Sequence, residues 1–300
     1  MNDNGLPYKD VFKRPQEPNN APESGAEPDE PRRGVKAWQG FLAALVTPVV
    51  LIFIGGPAQY YLGMAGLALT ELMILALALG FARGFRRNFR EVFPLHLPEM
   101  RQWGGIFLVW CGFLGLSMMA ALFIEYFFPG LTTEAGEGVS DFITTVPFIP
   151  SLLIVALMPA ICEEALFRGF IQHSFGGLNR WLGITLTALM FGLFHLDPAR
   201  LLPTGILGFG LAYVMSKTDN LLLPMLFHFI NNSFSAAASF LLQNLPEGAE
   251  IAEAAPVTLD QLLPALIILP GALAFILCGA RLLEKRRPRP AQQDGLGAQP

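Results

Sequence analysis

Charge is what this chain has least of. Only 15% of its 300 residues are Asp, Glu, Lys or Arg, against 53% hydrophobic residues, and the mean hydropathy is +0.47. That balance excludes an ordinary soluble domain and points to a membrane protein. Cysteine is scarce as well. Cys111, Cys162 and Cys278 lie far apart inside apolar runs with no CxxC spacing, which excludes a disulfide framework and a zinc knuckle. With a net charge of −4 there is no basic surface to attract nucleic acid, so no nucleic-acid partner is expected. The chain also lacks a secretory signal at its start: Met1 to Lys36 is polar throughout and carries six prolines, so residues 1–36 read as a disordered cytoplasmic tail. Residues 284–300 read as a second such tail. Between them, 37–283 form a single transmembrane domain without internal repeats.

Apolar runs long enough to cross about 30 Å of hydrocarbon occur eight times. They cover approximately 38–56, 58–82, 104–128, 149–172, 181–199, 201–216, 220–243 and 262–283, with the short, glycine-rich sixth the least secure. Cytoplasmic loops carry the excess of Lys and Arg. Placing both termini in the cytoplasm puts 18 of the 20 Lys and Arg residues inside, leaves Arg200 as the one outside, and leaves Arg168 within a span. The expected fold is therefore an all-α polytopic membrane protein of about eight transmembrane helices with both termini cytoplasmic. Basic clusters beside the spans suit anionic lipid headgroups, so membrane lipids are the first expected partner.

Ionisable groups at bilayer depth are costly and mark a site by default. Here they are Glu163, Glu164, Arg168, His195 and His228, joined by the amide of Asn232 and, as an outlier, Glu71. Residues four apart share a helix face and adjacent ones do not. Glu164 and Arg168 therefore read as an internal ion pair, and Glu163, in the stretch CEEALFRGF, is left to act on something else. At 1.5 Å per residue, Glu163 lies roughly 14 Å from the inner end of its span, His228 roughly 12 Å, Asn232 roughly 18 Å and His195 roughly 21 Å, which is compatible with one layer. Glu163 beside His195 would hold a water and take its proton. His228 and Asn232, again four apart, would supply hydrogen-bond donors for an oxyanion. Glu71 reads as a packing contact or a groove residue, Glu125 as interfacial, His173 as an interhelical hydrogen bonder and His96 as a loop residue.

Three motifs appear in order: EExxxR at Glu163, Glu164 and Arg168; FxxxH at Phe191 and His195; HxxxN at His228 and Asn232. With them the chain resembles the CPBP intramembrane proteases, the family of CAAX prenyl proteases of the Ras-converting type and of bacterial Abi and bacteriocin-processing homologues. The resemblance runs from about 149 to 243. It implies eight helices and a peptide-bond hydrolase whose site opens toward the cytosol. Glu163 and His195 would activate water, His228 and Asn232 would stabilise the oxyanion, and Glu164, Arg168 and Phe191 would be structural members of the motifs. The substrate would be a membrane-associated or CAAX-like protein or a leader peptide, and the location the inner (plasma) membrane of a bacterium.

Family members are often labelled metalloproteases, and Glu163, His195 and His228 match the ligand number of a catalytic zinc site. The sequence has no HExxH, and the reading adopted is metal-free glutamate chemistry, with zinc as the alternative cofactor. Two other classes compete with the protease: a non-catalytic membrane scaffold or bacteriocin-immunity type protein, which would keep its cellular phenotype after Glu163→Gln, and a proton-coupled transporter. The transporter is weaker because the sequence shows neither internal repeats nor paired broken helices. The oligomeric state is left open.

Overall fold

The computed structural model describes residues 36–244 and 257–284. Both expected tails fall outside these residues, apart from Lys36 and Glu284 at their inner edges. The described residues form helices and no strand. Apart from the single turn Phe89–Val92, these are α1 (Ala37–Leu62), α2 (Met64–Gly84), α3 (Met100–Phe127), the short α4 (Leu131–Ile143), α5 (Phe148–Ser174), α6 (Arg180–Phe194), α7 (Pro198–Thr218), α8 (Leu222–Gln243) and α9 (Leu259–Leu283). Seven of them are long and apolar enough to cross a membrane; α6, at 15 residues, is shorter.

All eight expected spans are helices, with one correction. The fifth run, expected over 181–199, stops at Phe194, and the sixth, expected to be the weak one, is a 21-residue helix from Pro198 to Thr218. The local chemistry explains the break. Leu196 takes a left-handed φ of 53°, which turns the chain. Asp197 then accepts the Ala199 N–H at 2.9 Å, and Pro198 occupies the first turn, a combination that starts a helix.

Short links make neighbouring helices antiparallel. The α1–α2 turn is the single residue Gly63, with φ 56°, and a Cβ on Gly66 would lie 2.0 Å from the Ala58 carbonyl. Glycine likewise brings α3 and α9 together at Gly112 and Gly279, and α6 and α7 at Gly192, where a Cβ would come within 2.6 Å of Leu201 O. The bundle thus has two ends. The first gathers the start of α1 and the end of α9: Arg87 bonds Gln39, Arg101 bonds the Glu284 carbonyl, Lys217 reaches Glu284 at 3.0 Å, and Leu221 N–H bonds Pro94 O at 2.7 Å. We refer to it as the terminal end. The opposite end holds Gly63, α4 and the α6–α7 link.

α5 is the axis of the site. Its backbone is π-helical over Leu152–Leu157 and again over Ala165–Ile171, with a stretch of α-helix, Met158–Glu164, between. Such π segments are rare and occur often at functional sites. The lower one is buried from Ala165 to Ile171, and it packs on the phenylalanines of α2 and α6, with Phe170 against Phe81 at 5.5 Å and Phe167 against Phe191 at 5.1 Å between ring centres.

Candidate active site

Arg168 is fully buried, a position that needs charge and hydrogen-bond partners. It has both. Nη1 donates to Glu164 Oε1 at 2.7 Å, Nη2 donates to Gly208 O at 3.1 Å, and the guanidinium lies 4.3 Å from the centre of the Phe191 ring. The Phe of the second motif therefore covers the Arg of the first, a contact worth roughly 2 kcal/mol where desolvated. Gly208 serves by having no side chain, since a Cβ there would stand 2.9 Å from Phe191. The Glu164–Arg168 pair expected from the i, i+4 spacing is present.

Glu164 holds a third partner. Its Oε1 also lies 2.8 Å from His228 Nδ1. A carboxylate that already accepts from arginine accepts here too, so Nδ1 carries the proton and Nε2 is the edge turned toward Glu163, whose Oε2 is 4.0 Å away. His195 is fixed in the same way. Its Nδ1 is 2.9 Å from Phe191 O, one turn earlier in α6. A carbonyl can only accept, so His195 too presents Nε2 as its free edge. Asn232 donates through Nδ2 to Val155 O at 3.0 Å, in the upper π segment, and accepts from Asn231 at 3.2 Å, while Asn231 accepts from Trp110 at 3.3 Å. One amide hydrogen of Asn232 is thus spent on positioning, and the other is left for a ligand.

Glu163, His195, His228 and Asn232 all line one cavity of about 530 Å³. Sequence reasoning brought these four together, and they share a wall. Three further residues belong to that wall: Glu71, read from the sequence as a packing contact or a groove residue, Arg200, placed outside, and Asn231, which was not singled out. Glu71 is 3% exposed; it faces the same space as Glu163, and Oε2 of each is buried without a hydrogen-bond partner among the described residues. Arg200 stands in the first turn of α7, not in an outside loop. Glu125, read as interfacial, is instead buried and caps α4, accepting from Gly130 N at 2.6 Å, Thr132 N at 2.9 Å and Thr133 N at 3.3 Å. α4 closes part of the cavity through Val139, Phe142 and Ile143.

Two imidazoles and a carboxylate invite a zinc ion. The donor set does not fit one: among the described residues no group of three His, Cys, Asp or Glu is gathered closely enough to hold a metal.

Fold and site together define an integral, multi-pass membrane protein with a buried carboxylate–imidazole centre. Residues 145–234, the stretch that contains Glu163, His195, His228 and Asn232, match the family model described as "Type II CAAX prenyl endopeptidase Rce1-like". Two curated relatives are similar over the same fraction of the chain. One is the Bacillus subtilis (strain 168) protein named "Putative membrane peptidase YdiL", 28% identical over 116 residues, or 37% of this chain and 46% of that protein. The other is the Lactococcus lactis subsp. lactis (strain IL1403) "UPF0177 protein YxdF", 31% identical over 113 residues, or 37% of this chain and 62% of that protein. The similarity thus spans about half the length of these relatives. No solved structure matches the chain.

Proposed function

We propose that the protein is an intramembrane endopeptidase of glutamate type that hydrolyses a peptide bond of a membrane-associated polypeptide in a bacterial plasma membrane. The observation that carries this reading is Glu163 itself. It is a carboxylate 7% exposed, with one oxygen unpartnered, on the wall of a cavity that also holds the free Nε2 edges of two histidines. In the reaction, Glu163 and His195 hold a water and Glu163 takes its proton as the oxygen attacks the carbonyl carbon. The developing oxyanion meets Asn232 Nδ2–H and His228 Nε2–H. His228 donates through Nε2 when its ring carries both protons, with Nδ1–H held by Glu164 Oε1 at 2.8 Å and Glu163 Oε2 4.0 Å from Nε2. Glu163 then hands its proton to the leaving amine, and the C–N bond breaks. Glu164 acts through His228 as a positioning residue, and Arg168 balances its charge. In this reading no step passes through an ion.

The test uses the purified full chain in lipid nanodiscs with an internally quenched, farnesylated CAAX peptide and its unprenylated counterpart. Cleavage of either by the native protein, lost in Glu163→Gln and unaffected by a chelator, is the expected result. Cleavage that survives Glu163→Gln would remove the assignment, and chelator sensitivity would move the chemistry to a metal.

A further inference from the structure

Glu71 is a buried acid that the mechanism above does not use. It stands within α2, is 3% exposed, and lines the same cavity as Glu163. Its Oε2 is buried with no hydrogen-bond partner among the described residues. The polar groups beside it are committed elsewhere: Thr70 Oγ1 donates to Gly66 O at 2.8 Å, and Gln59 Nε2 donates to Thr70 Oγ1 at 3.3 Å. Other buried acids of the bundle do have partners. Glu125 caps α4, and Glu164 meets Arg168 and His228.

The chain around Glu71 supplies no cation. From Ala37 to Ala82 and from Gln102 to Phe167 there is no Lys, Arg or His, and these stretches hold α1, nearly all of α2 and α3, α4 and most of α5. Arg168 is spent on Glu164 and Gly208. Arg200 is the one Lys or Arg on the cavity wall, and it belongs to α7, which packs on α6 and α3, whereas α2 packs on Met158–Glu164 of α5. The charge that bears on Glu71 is that of Glu163, a second carboxylate, while Arg200 interacts with Asp197 and Glu163.

A carboxylate withdrawn from water without a donor or a cation is costly, and in a membrane helix such a group marks a place where something binds. The cavity, at about 530 Å³, has the size of a ligand pocket. A metal ion does not fit, because among the described residues no group of three His, Cys, Asp or Glu is gathered to hold one. A single carboxylate in a wall shared with Leu67, Phe142 and Ile143 suits one ammonium or guanidinium group on an apolar stem, which such a wall can cover. We infer that Glu71 forms a cation subsite of the cavity, which receives a Lys or Arg side chain of a bound polypeptide close to the bond that Glu163 cleaves. The exposed Glu134, Glu137 and Asp141 of α4, the helix that brings Val139 and Phe142 to the cavity, favour the same kind of segment. That a polypeptide enters the cavity rests on the hydrolase reading above; the charge of the subsite does not.

The test measures binding and turnover by the full chain in lipid nanodiscs. The probes are short palmitoylated Ala/Leu peptides that carry Lys, Arg, norleucine or Glu at each position in turn. Peptides with Lys or Arg at one position should bind about 10- to 100-fold more tightly than their norleucine counterparts, the range for a hydrogen bond to a charged group. Glu71→Gln, which keeps the size of the side chain, should bring that ratio close to unity, a change that a loss of packing alone would not produce. Equal binding of the four kinds of peptide by the native chain, binding of none of them, or a preference for Lys and Arg that survives Glu71→Gln overturns the subsite. Should Glu71→Gln fail to fold, the native chain decides it: a ranking with the basic peptides first supports the subsite, and no ranking, or Glu first, overturns it. Turnover separates the two readings. A Glu71-dependent preference in binding without cleavage of any peptide would retire the hydrolase reading and leave the subsite standing, and Glu163-dependent cleavage without a charge preference would do the reverse.

Discussion

His228 Nδ1 stands 2.8 Å from Glu164 Oε1, and this contact joins the first and third sequence motifs across 64 residues of chain. It makes Glu164 more than a partner for Arg168: the carboxylate fixes which nitrogen of His228 faces the cavity. Glu164→Gln keeps an acceptor for Nδ1–H but removes the negative charge that the ring and Arg168 share. It should lower kcat by about 10- to 100-fold with little change in KM, in line with loss of an outer-shell partner. Steady-state kinetics in nanodiscs measure it, and an unchanged kcat would remove Glu164 from the mechanism.

Arg168 is buried with two hydrogen bonds and an aromatic cover. Arg168→Met leaves the Glu164 charge without its cation and should destabilise the protein by about 3–5 kcal/mol. The double variant Arg168→Met/Glu164→Gln should recover a large part of that loss, as expected for coupled neighbours. Unfolding in mixed micelles across the four proteins gives the coupling energy, and additive effects would contradict the pair.

Asn232→Ala removes one proposed oxyanion donor and should cost about 10²- to 10³-fold in kcat. Because the same Nδ2 also holds Val155 O, the companion variant is Asn232→Asp, which keeps the size but donates to neither, and thermal stability reports the loss of the Val155 bond. Equal loss in both variants, with intact thermal stability, points to the donor, and recovery in Asn232→Asp would argue against it.

Gly192→Ala would bring a Cβ within 2.6 Å of Leu201 O. α6 and α7 must then part, at a cost of about 1–3 kcal/mol, and His195, three residues on, moves with them. The expected outcome is a lowered melting temperature together with a loss of turnover larger than the stability change explains. A native-like variant would show that the helices have slack at this crossing.

Glu125 accepts three backbone N–H groups at the start of α4. Glu125→Ala should weaken that helix by about 1 kcal/mol. Hydrogen exchange over Leu131–Ile143 should accelerate there and not in α8, and unchanged protection would show that α4 is held by its apolar face alone.

Much of this was legible from residues that break an apolar background. Glu163, His195, His228 and Asn232 stand out because polar groups in a span need a reason, and the pairs spaced by four gave the ion pair of Glu164 and Arg168 directly. The π-helical stretches of α5 were not legible, since no residue pattern in LLIVAL or ALFRGFI distinguishes a π turn from an α turn. Arg200 was assigned to a loop because apolar residues continue past Phe194. The signal that corrects this is Asp197–Pro198, a cap and first-turn proline, which places Arg200 in the first turn of a new helix. Glu71 carries no motif, and only the packing of α2 on Met158–Glu164 brings it to the cavity. α4 could have been found from Glu134, Glu137 and Asp141 set against Val139, Phe142 and Ile143.

The central claim is that Glu163 performs hydrolysis. Newly formed peptide termini should be compared in membranes from cells carrying the native protein and from cells carrying Glu163→Gln at matched levels. The account predicts a set of termini present only with the native protein while the variant remains folded in the membrane. Identical termini from the two, with the variant still supporting the same cellular phenotype, would contradict it and leave a membrane scaffold in its place.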